Sequence, residues 1–118
     1  MKLSAVTLFA QDVDALASFY ADALGLAGTV SDLPSFRQLS GGRAEIGFAF
    51  PGVYDLLDLQ GEENPTGLRG CMTFALDADE AISDAIDRVV AHGGSIAKPP
   101  FRTHYGATLA VLRDPEGN

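Results

Sequence analysis

The sequence lacks several features that would assign it to a particular protein class. Its single cysteine, Cys71, excludes an internal disulfide and a multi-cysteine zinc module. No apolar run approaches the roughly 18 residues of a membrane-spanning helix. The start, MKLSAVTLFA, reaches Asp12 too soon for a secretory signal peptide. Glycine-rich nucleotide loops, GxSxG and HExxH are also absent, so nucleotide, phosphoryl and serine-hydrolase chemistry have no specific support. The low cysteine count favours a reducing, cytoplasmic location.

Basic residues are scarce. There are 8 Lys and Arg against 16 Asp and Glu in 118 residues, giving a formal net charge of −8. Binding to nucleic acid or to an anionic membrane needs a basic face, so neither is expected as a partner. The acid excess suits a cationic ligand if carboxylates line a pocket, or else a solvated acidic surface. The length suits one domain.

The chain contains an internal repeat. Residues 5–25 align without a gap over residues 71–91, with Thr7 over Thr73 and Leu8 over Phe74. Each copy has an alternating apolar run, an acidic cap region and a helical pattern. We expect the first helix to be capped by Asp12 or Asp14 and to end at Gly25, and the second to start at Asp79 and end at Gly93-Gly94.

Short extended segments follow each helix. The first set covers 28–32, 35–39 and 44–50, and the second covers 95–98 and 107–113, with Pro99-Pro100 stiffening the connection. The segment Asp114-Pro115-Glu116-Gly117 suits a type I turn, and a further strand is expected beyond Asn118. The pattern predicts an α+β domain over 1–118, made of a βαβββ module (1–52), a linker (53–69) whose flexible part is 62–67, and a second βαβββ module (70–118) that lacks its last strand here.

Strand alternation divides the side chains between two faces of the sheet. The bulky face, expected to pack on the helices, carries Val6, Leu8, Ala10, Ile46, Phe48, Phe50, Met72, Phe74 and Leu76. The opposite face carries Ala5, Thr7, Phe9, Glu45, Gly47, Ala49, Cys71, Thr73 and Ala75. Because these are mostly small residues, we expect either a cavity there or a loop, the linker or a partner subunit filling the space.

Three segments resemble one known family. DVDALASFYADALGL, GCMTFALDADEAISDAIDRVVAHGG and PPFRTHYG with LRDPEGN are similar to the vicinal-oxygen-chelate superfamily of glyoxalases, bleomycin-resistance proteins and extradiol dioxygenases. The resemblance covers nearly the whole chain. It implies paired βαβββ modules, a U-shaped mixed sheet around a cavity, and a homodimer. It does not fix an activity, because one fold hosts many functions.

The enzymes of this family chelate a divalent metal with one residue from each of four strands. The resemblance places the first three positions at Ala5, at Gly47 (or Glu45 after a two-residue slip) and at Cys71, and the fourth beyond Asn118. A catalytic centre needs about three donor side chains. Neither His92, at a helix end, nor His104, in a turn, supplies one. A family-type metal site is therefore not expected, and no cofactor is predicted.

Three functions follow from these observations. The first is a metal-free protein that binds a small molecule, similar to the bleomycin-resistance type, which sequesters a drug in crevices shared by two subunits. The second is a metal-dependent lyase or dioxygenase that uses Glu45, Cys71 and a carboxylate beyond Asn118. The third is a partner module whose own side chains fill the cavity. The candidate ligand-binding residues are Thr7, Phe9, Arg37, Glu45, Gly47, Cys71, Thr73 and Tyr105.

Overall fold

The computed structural model describes residues 3–62 and 71–118. In chain order, the elements are β1 (Ala5–Phe9), α1 (Val13–Leu24), β2 (Gly28–Asp32), β3 (Phe36–Ser40), β4 (Glu45–Ala49), α2 (Val53–Leu56), α3 (Ile82–Ala91), β5 (Ser95–Arg102) and β6 (Thr108–Arg113). The predicted α+β class is confirmed. Among the described helices, none has the length and apolar content to cross a membrane.

The first half forms a mixed four-stranded sheet. Its strand order is β1-β4-β3-β2, with β1 parallel to β4 and the other pairs antiparallel. The parallel pair is possible because α1 and two further strands lie between β1 and β4 in the sequence, which is enough chain to return to the same end of the sheet. The predicted order of one strand, one helix and three strands is confirmed for this half.

The second half departs from the prediction at its start. Residues 71–76 form no strand, whereas β5 and β6 pair as an antiparallel hairpin. The repeat explains the difference, because 71–76 corresponds to β1, and β1 pairs only with β4. The counterpart of β4 would follow the turn at 114–117, and is not among the residues that the structure describes. The expected strand over 71–76 is therefore wrong for this chain.

The helix ends test the capping predictions. Asp12 accepts a hydrogen bond from the amide of Ala15 at 2.9 Å, and Gly25 ends α1 in the left-handed region with φ 68°, so both predictions are confirmed. Helix α3 instead begins at Ile82, with no side-chain cap at Ala81. The expected start at Asp79 is wrong, because the amide of Glu80 bonds to the carbonyl of Asp77 and places Asp79 in a turn.

The core lies between α1 and the first sheet. Its buried members include Leu16, Tyr20, Leu39, Ile46 and Phe48, and Val89 of α3 joins them. Of the bulky face, Ala10, Ile46 and Phe48 are buried as predicted.

Four members of the predicted bulky face are instead exposed: Val6, Phe50, Phe74 and Leu76. Phe50, exposed at 46%, comes just after β4 ends at Ala49, so strand alternation no longer sets its direction. Phe74 and Leu76 lie in the segment that forms no strand. Val6 lies on β1 at the edge of the sheet.

Two other predicted connections differ from the structure. A short helix, α2, forms inside the predicted linker at Val53–Leu56. Pro99 and Pro100 lie within β5 rather than between elements, at a place where the pairing with β6 is irregular. Irregular pairing is how a strand accommodates prolines, which have no amide hydrogen to donate. The rest of the predicted linker, beyond Glu62, lies outside the described residues.

The turn at 114–118 joins the second half of the chain to α1. The carboxylate of Glu116 accepts hydrogen bonds from the amides of Gln11 and Asp12, all at 3.0 Å. The hydroxyl of Tyr20 donates to Asp114 at 3.0 Å. The amides of Glu116 and Asn118 also donate to the Asp114 carboxylate, which holds the turn closed. We call this set of contacts the C-terminal clasp.

Candidate functional site

A groove of about 600 Å³ lies on the sheet face that points away from α1. Its described lining residues are Thr7, Phe9, Ser35, Phe36, Ala49, Phe50, Gly52, Val53, Leu56 and Leu57. Strands β1, β3 and β4 supply the floor, and α2 supplies one wall. This volume is within the range of small-molecule sites, which are typically 300–1,000 Å³.

Gly47 forms a corner of this groove. In the sheet it lies opposite Thr7 on one side and Gln38 on the other. A Cβ atom at position 47 would lie 2.8 Å from the Oγ1 of Thr7 and 3.2 Å from the ring of Phe36. The absence of a side chain therefore lets the hydroxyl and the aromatic edge come together over the backbone of β4.

The rings of the groove are held in place by their neighbours. Phe9 meets Tyr54 edge-on, with 4.6 Å between ring centroids. The ring of Phe50 lies against Gly52, where a Cβ atom would approach it to 2.4 Å. These contacts restrict the rotamers of Phe9 and Phe50. Less side-chain entropy is therefore lost when a ligand binds in the groove.

The polar groups of the groove are neutral. The hydroxyls of Thr7 and Ser35 are its polar side-chain atoms, and neither has a hydrogen-bond partner among residues 3–62 and 71–118. Among the described lining residues, none is ionisable. The site can therefore offer apolar contact and hydrogen bonds from two hydroxyls, without a charge.

Glu45 and Arg37 lie outside the groove lining and are engaged elsewhere. The carboxylate of Glu45 accepts a hydrogen bond from the hydroxyl of Thr29 at 3.0 Å. Arg37 lies on the helix side of the sheet, where its guanidinium donates to Asp14 at 2.8 Å and to Ser18 at 2.9 Å. Alternation along β3 places Arg37 on the face opposite Thr7, which separates it from Glu45 as well as from the groove.

The structure does not bring Cys71, Thr73 and Tyr105 into the groove. Cys71 and Thr73 are exposed in the segment that forms no strand. Tyr105 is 66% exposed in the turn between β5 and β6, with its ring edge-on to His104. Their ligand-binding role stays a prediction without support from the geometry.

The family-type metal positions do not fit a divalent ion in this chain. Ala5 lies opposite Glu45 in the sheet and has no donor atom. The direction in which a side chain at 47 would project is filled by Thr7 and Phe36. Over the described part of the chain, no three His, Cys, Asp or Glu side chains cluster as metal ligands would. Glu45 alone cannot supply the roughly three donors that a catalytic centre needs.

A smaller cleft of about 350 Å³ lies between α1 and the C-terminal clasp. Asp12, Asp22, His92 and Glu116 provide its polar lining. Asp12 and Glu116 already accept backbone amides, and Nδ1 of His92 lies 2.8 Å from the carbonyl of Arg88. The polar groups of this cleft therefore serve mainly to close helix ends.

One ionisable group of the core is perturbed. Burial raises the pKa of the Tyr20 hydroxyl well above its usual value, and the neighbouring Asp114 carboxylate adds to the effect by its charge and its hydrogen bond. Tyr20 lies between Phe19 and Phe48 on the helix side of the sheet, away from the groove. Its role is therefore to hold the clasp to the core.

Comparison with known proteins identifies the fold and its family. A sequence model described as Glyoxalase/Bleomycin resistance protein/Dioxygenase superfamily matches residues 2–118. The chain belongs to this superfamily. The resemblance stated from the sequence is therefore confirmed, and so is the glyoxalase-like fold class.

Solved structures of this superfamily match along the whole chain. The crystal structure of a glyoxalase/bleomycin resistance protein/dioxygenase family enzyme from Burkholderia phytofirmans PsJN is 33% identical, with a TM-score of 0.94, and the match covers 100% of this chain and 94% of that one. A glyoxalase-related enzyme from Fulvimarina pelagi is 21% identical, with a TM-score of 0.81 over 99% of this chain and 83% of that one.

A more distant match is a lactoylglutathione lyase from Agrobacterium tumefaciens. It is 23% identical, with a TM-score of 0.70 over 98% of this chain and 87% of that one. At these identities, the Fulvimarina and Agrobacterium proteins show the shared fold alone. The comparison with curated proteins found no match.

The sequence placed Thr7, Phe9 and Ala49 on the groove face but missed the other seven of the ten described lining residues. Among those it missed, Phe36 belongs to the predicted extended segment 35–39, and Val53, Leu56 and Leu57 belong to the predicted linker. The signal for the linker residues was available, because VYDLLDL carries the apolar spacing of a short amphipathic helix. No comparable signal marked Phe50, whose direction depends on where β4 ends.

Proposed function

We propose that this member of the superfamily binds an apolar small molecule in the groove without metal chemistry, and holds it rather than transforming it. The observation that carries the proposal is the groove itself, which is apolar, about 600 Å³ in volume and free of ionisable lining residues within the described part of the chain. A hydrolytic or isomerising site would need an acid, a base or a metal within reach of the ligand.

The excess of acidic residues does not favour a cationic ligand in this groove, although the composition alone was compatible with one. Carboxylates suit a cationic ligand only where they line its pocket, and Asp14, Glu45, Glu80 and Asp114 are engaged with protein groups instead. We therefore assign the net charge to the solvated surface, where it favours solubility.

We further propose that the protein acts as a homodimer, as its family resemblance implies. Strand β1 is an edge of the first sheet, and the segment 71–76 presents Phe74 and Leu76 to solvent without a strand partner among residues 3–62 and 71–118. Unpaired strand edges with apolar side chains favour association with another chain. Light scattering during size-exclusion chromatography measures the mass directly, and a monomer at micromolar concentration would contradict this part of the proposal.

The first prediction tests the groove with N-phenyl-1-naphthylamine, a neutral dye that fluoresces in apolar surroundings. We expect saturable binding, weakened about fivefold or more by Leu56→Asp, because a charge in the wall must be partly desolvated against the dye. Leu56 is 80% exposed, so the substitution leaves the fold intact. The measurement is a fluorescence titration.

The matched control is Leu3→Asp, which adds the same charge at a residue that is 68% exposed and outside the groove. Equal weakening by both variants, or no binding at all, would contradict the groove as the site. Plasma mass spectrometry on the same protein, after incubation with Ni, Co, Mn, Fe and Zn and desalting, tests the enzymatic alternative. Near-stoichiometric metal retention would contradict the metal-free proposal.

A further inference from the structure

The corner formed by Thr7, Gly47 and Phe36 determines which ligands the groove accepts. Building on the proposed binding function, we propose that the ligand is a flat, uncharged aromatic molecule with a hydrogen-bonding substituent that the Thr7 hydroxyl receives.

The groove presents aromatic rings from three separate segments. Phe9 comes from β1, Phe36 from β3, and Phe50 from the loop after β4. The orientation of Phe9 is set by Tyr54, and Phe50 is pressed against Gly52. Fixed rings favour a flat aromatic guest, since offset-stacked and edge-to-face contacts stabilise the complex beyond area burial, and a puckered ring forms neither geometry as well.

The lining rejects charged ligands. An ion that enters an apolar site without a partner loses its hydration and gains no opposite charge. The nearest carboxylate on this face of β4 is Glu45, which lies outside the lining and is bonded to Thr29. The groove therefore disfavours cations despite the negative net charge of the protein.

Gly47 allows the hydroxyl of Thr7 to lie next to the ring of Phe36. Because position 47 has no Cβ atom, the Oγ1 of Thr7 and the edge of Phe36 converge on the same point above β4. A guest that lies against Phe36 thus has its substituent within reach of Thr7. A larger residue at 47, including the His or Glu of a family-type metal site, would collide with both. The absence of a side chain at position 47 therefore removes a family-type metal ligand and also allows Thr7 and Phe36 to form the aromatic corner.

Ser35 supplies a second hydroxyl at the other end of the groove. It precedes β3, three residues from Gln38, which pairs with Gly47. At about 3.3 Å per residue, this separation is roughly 10 Å along the strand. A ligand of two fused rings spans such a distance, which suggests the size of the probes.

The second prediction uses probes that share the naphthalene skeleton and displace N-phenyl-1-naphthylamine from the groove. They are 2-naphthol, naphthalene, decahydro-2-naphthol, 2-naphthylmethylammonium and 2-naphthoate. We expect 2-naphthol to bind most tightly, about three- to tenfold better than naphthalene, as one neutral hydrogen bond contributes. Decahydro-2-naphthol, whose rings are puckered, should bind more weakly than 2-naphthol. The two ions, 2-naphthylmethylammonium and 2-naphthoate, should also bind more weakly.

The variant Thr7→Val keeps the shape of the side chain and removes its hydroxyl. We expect it to abolish the preference for 2-naphthol over naphthalene, because the hydrogen bond that distinguishes the two probes is lost. Thr108→Val, on β6 and outside the groove, is the matched control and should leave both affinities as they are.

Each contrary result has a distinct meaning. If either ion or the puckered alcohol binds as well as 2-naphthol, or if Thr7→Val preserves the preference, this inference is overturned while the groove remains a binding site. If the dye itself fails to bind to the wild-type protein, the proposed function falls, and this inference falls with it.

Discussion

At the scale of the residue, the Tyr20–Asp114 pair is the main polar contact inside the core. Both residues are buried, and the hydroxyl and carboxylate lie 3.0 Å apart. The carboxylate is otherwise satisfied by two backbone amides and by the side chain of Asn118. Removing the Tyr20 hydroxyl leaves a buried charge with one donor fewer, which is costlier than losing an exposed hydrogen bond.

The third prediction follows from this pair. At pH 7, Tyr20→Phe should lower the free energy of unfolding by about 1–3 kcal/mol, the range for hydrogen bonds to charged groups. Burial raises the Tyr20 pKa in the folded state, so above about pH 10 the unfolded chain loses this proton first and wild-type stability falls as pH rises. The variant lacks the titrating group, and the difference between the two proteins should therefore narrow above pH 10.

Urea unfolding at intervals from pH 7 to pH 11 measures both effects. Tyr105→Phe is the control, since its ring is exposed and it should match the wild type throughout. A difference between wild type and Tyr20→Phe that stays constant to pH 11 would contradict the role assigned to burial.

The residues that line the groove show how far alternation along a strand can predict a site. Thr7, Phe9 and Ala49 lie within strands, where successive side chains point to opposite faces, and the sequence placed them correctly. Phe50 lies one residue past a strand end, where that rule stops applying. Phe36 is on the groove face but resembles a core residue in composition, because an apolar site and an apolar core use the same residue types.

At the scale of the element, Gly94 determines how closely α3 approaches the second sheet. A Cβ atom there would lie 2.6 Å from a methyl group of Val89 and 2.9 Å from the carbonyl of Arg113. Val89 belongs to α3 and Arg113 to β6, so the chain at Gly94 passes between these two elements. Both contacts are too short for any residue but glycine without movement of the backbone.

The fourth prediction is that Gly94→Ala destabilises the protein by about 1–3 kcal/mol, the usual range for overpacking. Gly28→Ala is the matched control, because nothing lies within 4 Å of the Cβ position at Gly28. The measurement is the midpoint of denaturant unfolding for both variants. An effect of Gly94→Ala no larger than that of Gly28→Ala would show that the packing at this point is loose.

The repeat predicted the elements of the first half well and those of the second half less well, for a physical reason. Propensity and periodicity indicate that a segment can form a strand, but a strand forms only when a neighbour accepts its hydrogen bonds. Residues 5–9 have β4 beside them, whereas 71–76 have no equivalent neighbour in the part of the chain that the structure describes. The position of α2 depends likewise on tertiary contacts, since a helix of four residues is not stable by itself.

At the scale of the whole molecule, the C-terminal clasp connects the two halves. Glu116 provides a carboxylate at the start of α1, where the amides of Gln11 and Asp12 and the helix dipole favour a negative charge. Arg88 of α3 adds a second connection by donating to the carbonyl of Ala23 at 2.9 Å, and it also pairs with Glu80. Together these contacts attach α1 to α3 and to the C-terminal clasp.

The fifth prediction is that Glu116→Gln loosens the start of α1. An amide side chain has one carbonyl acceptor and no charge, so it replaces the carboxylate only in part. Hydrogen exchange followed by NMR should show protection of the Gln11 and Asp12 amides reduced by about three- to tenfold. Asp87→Asn, which removes one exposed charge on α3, should leave those amides unchanged, and equal effects of the two variants would contradict the clasp.

The clasp also has a consequence for the order in which the protein acquires its structure during synthesis. The amide of Gln11 and the carboxylate that it binds are 105 residues apart in sequence. On the ribosome, all residues of α1 and the first sheet are therefore synthesised well before Glu116. Until Glu116 is present, the amides at the start of α1 form hydrogen bonds with water. The final locking of the first half therefore waits until Glu116 has been synthesised, and contacts this distant in sequence are typical of slowly folding proteins.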